Sequence, residues 1–215
     1  MHHVSIGIIA AILCGVLPLI WLIYYLIKQQ KRTRETQRHI SDRELLRLLG
    51  AQPDRLLSPH QLRDLTGITL NDARARLNAL HVYGILRRSY NSRGRHFFSP
   101  RDPVEEPPTL DLSPDPFLTV EDLLQIFMAY DYRVTAQQMI MATGLPLTVI
   151  KRELKYFEDQ DIVQKLQRSD GNGTVMHRFF VLKDPYRTDP ERFRQRAETL
   201  DGEMRKILVD EKLLV

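Results

Sequence analysis

The sequence predicts a mainly α-helical chain with small β-hairpins (α+β), opened by one transmembrane helix and closed by one C-terminal helix. Three observations predict it. The 215-residue chain begins with a long uncharged apolar run. A plan of three helices and a hairpin then occurs twice. A final heptad-like stretch follows Asp189-Pro190.

The apolar run spans residues 4–27, with 20 apolar residues in 24 positions and no charge. As a helix it extends about 36 Å, enough to cross a hydrocarbon core of about 30 Å. Trp21, Tyr24 and Tyr25 gather at one end, where amphipathic rings favour the membrane interface. Lys28, Lys31, Arg32, Arg34 and Arg38 follow, opposed only by Glu35. That asymmetry predicts a single-pass membrane protein with the bulk of the chain cytoplasmic, Lys28, Lys31 and Arg32 lying at the headgroups. A cleaved signal peptide needs a basic leader and a shorter apolar core, and neither is present. Residues 1–27 thus form the anchor and 28–40 a basic juxtamembrane helix.

The first copy covers residues 41–103. Ser41 to Glu44 is a capping box opening a helix that carries Leu45, Leu46, Leu48 and Leu49. Ser58-Pro59-His60-Gln61 is a second box with Pro at the first helical position. Thr66-Gly67 ends that helix, the Gly supplying a left-handed cap. The third helix places Ala73, Leu77, Leu80 and Gly84 along one face. Ile85-Leu86 begins a strand, Asn91 to Gly94 turns it, and Phe97-Phe98 returns.

Residues 104–118 hold acids and prolines without a single base, which predicts an extended, semi-rigid linker. The second copy, residues 119–187, repeats the plan. Thr119–Asp122 and Thr135–Gln138 are its caps, and Thr143-Gly144 its turn. Ile150, Leu154, Phe157 and Asp161 lie on its third helix, Ile162-Val163 and Phe179-Phe180 are its strands, and Asp170 to Gly173 its hairpin turn. Residues 188–215 read as one terminal helix with Asp189 as cap and Phe193, Ala197, Leu200, Met204 and Ile207 on one face. That face serves either packing on the second copy or a homodimer.

Helix, helix, short turn, helix, hairpin is the plan of the winged helix-turn-helix superfamily, which the chain resembles over most of residues 41–185. The resemblance rests on the Thr-Gly turns, the Leu77-x-x-Leu80 third helix, the Gly84-Ile85-Leu86 exit and the two-stranded wing. It implies tandem winged-helix domains behind the membrane helix. In that superfamily the third helix enters a DNA major groove and the wing touches backbone or minor groove.

Charge distribution bears on what such copies bind. The formal net charge is +4, with 31 Lys+Arg against 27 Asp+Glu. The excess sits in the juxtamembrane stretch and the first copy, the linker is acidic, and the second copy balances. On the first third helix, Asn71, Arg74 and Asn78 lie opposite the apolar face, residue types that pair with adenine and guanine edges. The wing adds Arg87, Arg88, Arg93 and Arg95 with His96, suited to phosphates. The second copy offers Thr148, Lys151, Arg152 and Lys155, beside Glu158, Asp159 and Asp161.

The expectation is a membrane-anchored DNA-binding regulator or DNA-tethering factor. The alternative is a membrane-anchored adaptor whose winged helices bind protein only, since basic faces also serve as solvated surface and tandem winged helices also dock proteins. An enzyme is not expected. The seven His are scattered at 2, 3, 39, 60, 81, 96 and 177, and no zinc-protease, nucleophile-elbow, Walker or dinucleotide motif occurs. No cofactor or metal is expected. The expected partners are the membrane through residues 4–27, duplex DNA, and a protein partner or second copy of the chain through the C-terminal helix.

Overall fold

Local signals in the sequence cap the first five described helices before any tertiary contact is needed. A computed structural model describes residues 39–169 and 176–213. The expected anchor with Trp21, Tyr24 and Tyr25, the basic residues Lys28, Lys31 and Arg32, and the Asp170–Gly173 turn lie outside the described residues. Among the described residues no helix is long and apolar enough to cross a membrane.

The first three helices are α1 (Asp42–Ala51), α2 (Pro59–Thr66) and α3 (Leu70–Val82). Hairpin β1 (Leu86–Tyr90) and β2 (His96–Pro100) follows, antiparallel with Arg88 opposite Phe98. The second set comprises α4 (Val120–Ala129), β3 (Arg133–Thr135), α5 (Ala136–Thr143) and α6 (Leu147–Asp159). Strands β4 (Val163–Ser169) and β5 (Met176–Leu182) complete it, and α7 (Pro190–Arg194) and α8 (Ala197–Leu213) end the described chain. The fold is mixed α+β: eight helices and two small antiparallel sheets among the described residues.

All four capping boxes form. The side chains of Ser41, Ser58, Thr119 and Thr135 accept from the N3 amides, and Glu44, Gln61, Asp122 and Gln138 reach back to the cap amides. Gly67 and Gly144 both cap in the left-handed region at φ 73°, where a side chain is disfavoured. The exits of α3 and α6 match bond for bond. The Ile85 amide donates to Leu80 and Arg101 to Ile85, as Ile162 donates to Phe157 and Lys183 to Ile162. Gly84 and Asp161 take positive φ at the same place in the two copies.

The sheets differ. β3 pairs with β5, with Val134 opposite Phe180, giving the order β3-β5-β4. The equivalent in the first copy is one bridge, Leu57 to Phe98. This third strand is not foreseen by the sequence, because three residues carry too little alternation to signal it.

One core runs through both copies. Leu45, Leu49, Leu77 and Phe98 belong to the same buried cluster as Leu123, Phe127, Ile150 and Phe157. Residues 40–215 form one compact unit. Asp42 joins the copies: it accepts from the buried Arg76 guanidinium with one carboxylate oxygen and from the Leu147 amide, at 2.8 Å, with the other. Gln137 Nε2 donates to the carbonyls of Asp102 and Pro103 at 3.1 and 3.0 Å, and His177 Nε2 lies 2.9 Å from Asp102 Oδ2.

One expectation needs correction, that of a single terminal helix. The acidic linker is extended, without helix or strand, and it straps the copies together. Val104 lies so close to Gly50 that a Cβ there would meet its Cβ at 3.0 Å. Glu106 takes a bidentate bond from Arg47 at 2.8 and 2.6 Å, Ser113 donates twice to Asp122, and Phe117 and Leu118 are buried. The terminal segment is two helices, interrupted by a turn at Gln195-Arg196. Asp189 makes no side-chain capping bond. Its apolar face packs on the second copy: Phe193, Leu200 and Met204 are buried, Phe193 stands edge-on to Phe157 at 6.0 Å, and Asp201 accepts from the Val120 amide at 3.0 Å.

Candidate nucleic-acid interface

Helix α3 is fixed at both ends. Thr69 caps its start by accepting from the Asp72 amide, and His81 Nδ1 lies 3.0 Å from the Leu86 carbonyl, tying its last turn to β1. The inward face holds Ala73, Leu77 and Leu80, together with Arg76. Arg76 was not anticipated there. Its burial is compensated because Asp42 and the Ile40 carbonyl accept from its two terminal nitrogens. Its presence could have been read from the i, i+3, i+4 spacing with Ala73 and Leu80, but spacing does not name the acid that meets it.

With that face buried, Asn71, Arg74, Ala75 and Asn78 are exposed along the other side of α3. Beside it β1 buries only Leu86 and exposes Arg87, Arg88, Ser89 and Tyr90. The hairpin turn is built by Asn91, whose Oδ1 accepts from the amides of Arg93 and Arg95 at 3.0 and 2.9 Å. Gly94 at φ 70° completes it. Both arginine side chains are thus presented outward on a short, hydrogen-bonded tip.

None of Arg74, Arg87, Arg88, Arg93 and Arg95 has a carboxylate partner among the described residues. Arg47, Arg63 and Arg194, by contrast, each hold an acid. Arg88 instead lies over the Tyr90 ring at 5.7 Å, and Tyr90, 64% exposed, meets His96 edge-on at 5.4 Å. The hairpin therefore carries an open aromatic and cationic surface. Tyr90 is the member of it that the sequence did not single out: it shares a face of β1 with the buried Leu86, so alternation alone points it inward, yet at the strand's end it is exposed.

The corresponding residues of the second copy are brought to a different use. Thr148 is exposed, but the neighbouring cations are engaged. Lys151 Nζ sits 5.3 Å from the centre of the Tyr83 ring of the first copy. Arg152 pairs at 2.8 Å with Glu153, which is fully buried and accepts from the Leu118 amide at 2.7 Å. Lys155 bonds both oxygens of Asp159 at 2.9 Å, and that partner holds its ammonium above the usual lysine range. The N-terminus of α6 is closed as well, since Leu147 is buried and its amide is taken by Asp42. A helix that reads a major groove does so with its N-terminal residues. So Thr148, Lys151, Arg152 and Lys155 do not form a free face equivalent to that of α3.

Tyr83, the C-cap of α3, is contacted from a second side by Arg178, whose guanidinium lies 4.8 Å from the ring centre. Burial pushes the Tyr83 phenol up to about 12, partly offset by Arg178. Among the described residues no three His, Cys, Asp or Glu side chains converge as metal ligands. A search of protein-family models finds no match to this chain, and a search of curated proteins finds none either.

Proposed function

We propose that this chain is a membrane-anchored tandem winged-helix protein that binds duplex DNA at the cytoplasmic face, as a transcriptional regulator or DNA-tethering factor. The observation that carries the reading is the unpartnered set on the first copy: Asn71, Arg74 and Asn78 on α3 with Arg87, Arg88, Arg93 and Arg95 on the adjoining hairpin. Asn and Arg side chains reach base edges bidentately, while hairpin arginines fit phosphates. The order of elements, repeated with the same caps and the same exits, supports two winged helices. The 24-residue apolar run supports the anchor. Tethering confines the search to DNA near the membrane and raises its effective concentration.

In this reading the copies divide the work. The first reads, and the second braces it through the Leu147 amide on Asp42 and through Gln137 and His177 on Asp102. The commitment of Lys151, Arg152 and Lys155 inside the chain favours a second reading for that half: a protein-docking module in a membrane-anchored adaptor.

The test is retention of full-length protein on duplex DNA across a salt series. Binding that weakens steeply with salt, and is lost when Arg74, Arg93 and Arg95 become Ala together, supports the DNA reading. No retention at low salt, with a protein partner captured through nuclease treatment, supports the adaptor.

A further inference from the structure

A groove of about 320 Å³ opens between α6, the β4–β5 hairpin and the C-cap of α3. Its volume lies at the low end of the range of roughly 300–1,000 Å³ typical of small-molecule sites. Tyr83 and Phe180 give it an apolar wall, and Lys151, Lys155, Lys165 and Arg178 line it with cations. Two of these have acids: Lys155 holds Asp159, and Lys165 reaches Glu158 at 3.2 Å. Lys151 and Arg178 have only the Tyr83 ring between them, and Arg178 Nε is buried without a hydrogen-bond partner. The groove thus concentrates positive charge against a low-dielectric wall, where charge-assisted contacts from the Lys151 ammonium and the Arg178 guanidinium favour an anion.

We infer that this groove is a binding site for a small phosphorylated ligand, its phosphoryl oxygens taken by Arg178 and Lys151 over Tyr83. Phosphate suits the site better than a carboxylate. It carries up to two negative charges against the two uncompensated cations, and its oxygens meet both a guanidinium fork and an ammonium. A small anion suits it better than a duplex, because the N-terminus of α6 is closed by Asp42 and cannot advance into a groove of DNA. The ligand would touch both copies at once, Tyr83 from the first and the rest from the second. The site is separate from the surface of α3 and the first hairpin, and stands whether or not that surface binds DNA.

Calorimetric titration of the full-length protein with inorganic pyrophosphate at low salt tests this. The expected result is one site per chain. Lys151→Met and Arg178→Met, which keep an apolar stem on Tyr83, should each weaken it by roughly tenfold to a hundredfold, the loss of one charge-assisted contact. Replacing Arg93 and Arg95 with Ala should leave it unchanged. Unfolding midpoints establish that each variant is folded; if Arg178→Met is not, the exposed Lys151 decides. The inference is overturned by any of three outcomes. These are no binding by wild-type protein, a loss in the Arg93/Arg95 variant as large as that in Lys151→Met, and displacement of pyrophosphate by a short duplex with the same variant sensitivity. The last would assign the groove to DNA backbone.

Discussion

Arg76 and Glu153 occupy corresponding positions on α3 and α6 with opposite charge, and do the same job. The Arg76 guanidinium donates to the Ile40 carbonyl; the Glu153 carboxylate accepts from the Leu118 amide. Each pins the residue before a helix cap to the third helix of its copy. Periodicity alone would have placed an apolar side chain at either site. Tyr83 shows the same limit of pattern. It follows the periodic run of α3 and reads as a helix end, yet it becomes the ring against which two cations of the other copy rest. Its titration is a residue-scale prediction. The folded phenol ionises near 12 against an ordinary 10.0, so between those values the unfolded chain loses a proton that the folded chain keeps. Stability must therefore fall as pH rises through that window. Tyr83→Phe, compared with wild type by denaturant unfolding across it, should show a shallower decline; identical slopes would mean the ring is solvated.

At the scale of elements, what the sequence announces best is what short spacing enforces. Four boxes with a hydroxyl three residues before Glu, Asp or Gln, and two Thr-Gly stops, were legible because each is closed by residues within one turn. β3 was not, since Arg133–Thr135 is a strand only by virtue of β5. The linker's composition fixed its extension but not its resting place, which depends on the bare Cα of Gly50 beneath Val104. Helix α6 shows why the second copy's basic face differs from that of α3. Its N-cap is Pro146, which offers no side-chain bond, so the cap comes from Asp42 on α1 of the other copy. Asp42 also neutralises Arg76 in the core. Asp42→Ala should then cost about 3–5 kcal/mol, as removal of one partner of a buried pair does. Ser41→Ala, which removes only a local cap, should cost about 1 kcal/mol. Equal losses in denaturant unfolding would show that Asp42 does no more than an ordinary capping residue.

At the scale of the molecule, residues 40–215 behave as one body built from a duplicated plan. A shared core, the strap and the Asp42 junction leave neither copy a complete surface of its own. Unfolding should accordingly be a single transition, coincident by circular dichroism and by hydrogen exchange in α3 and α6; separate transitions would mean the copies are independent. Charge tells the same story of division. The first copy keeps five arginines open, while the second spends its cations on Tyr83, Glu153 and Asp159. The sequence located these basic residues, and the i, i+4 spacing of Lys155 and Asp159 was legible, but Tyr83 lies in the other copy and Glu153 inside the core, where spacing does not reach. Whether the first copy's open arginines meet DNA is decided by the salt dependence of duplex binding by full-length protein. The expected result is a steep logarithmic slope that falls by roughly one unit for each of the hairpin arginines Arg93 and Arg95 removed, and is unmoved by Lys155→Met. Absence of binding at low salt, or a slope that depends on Lys155 and not on those arginines, would contradict it.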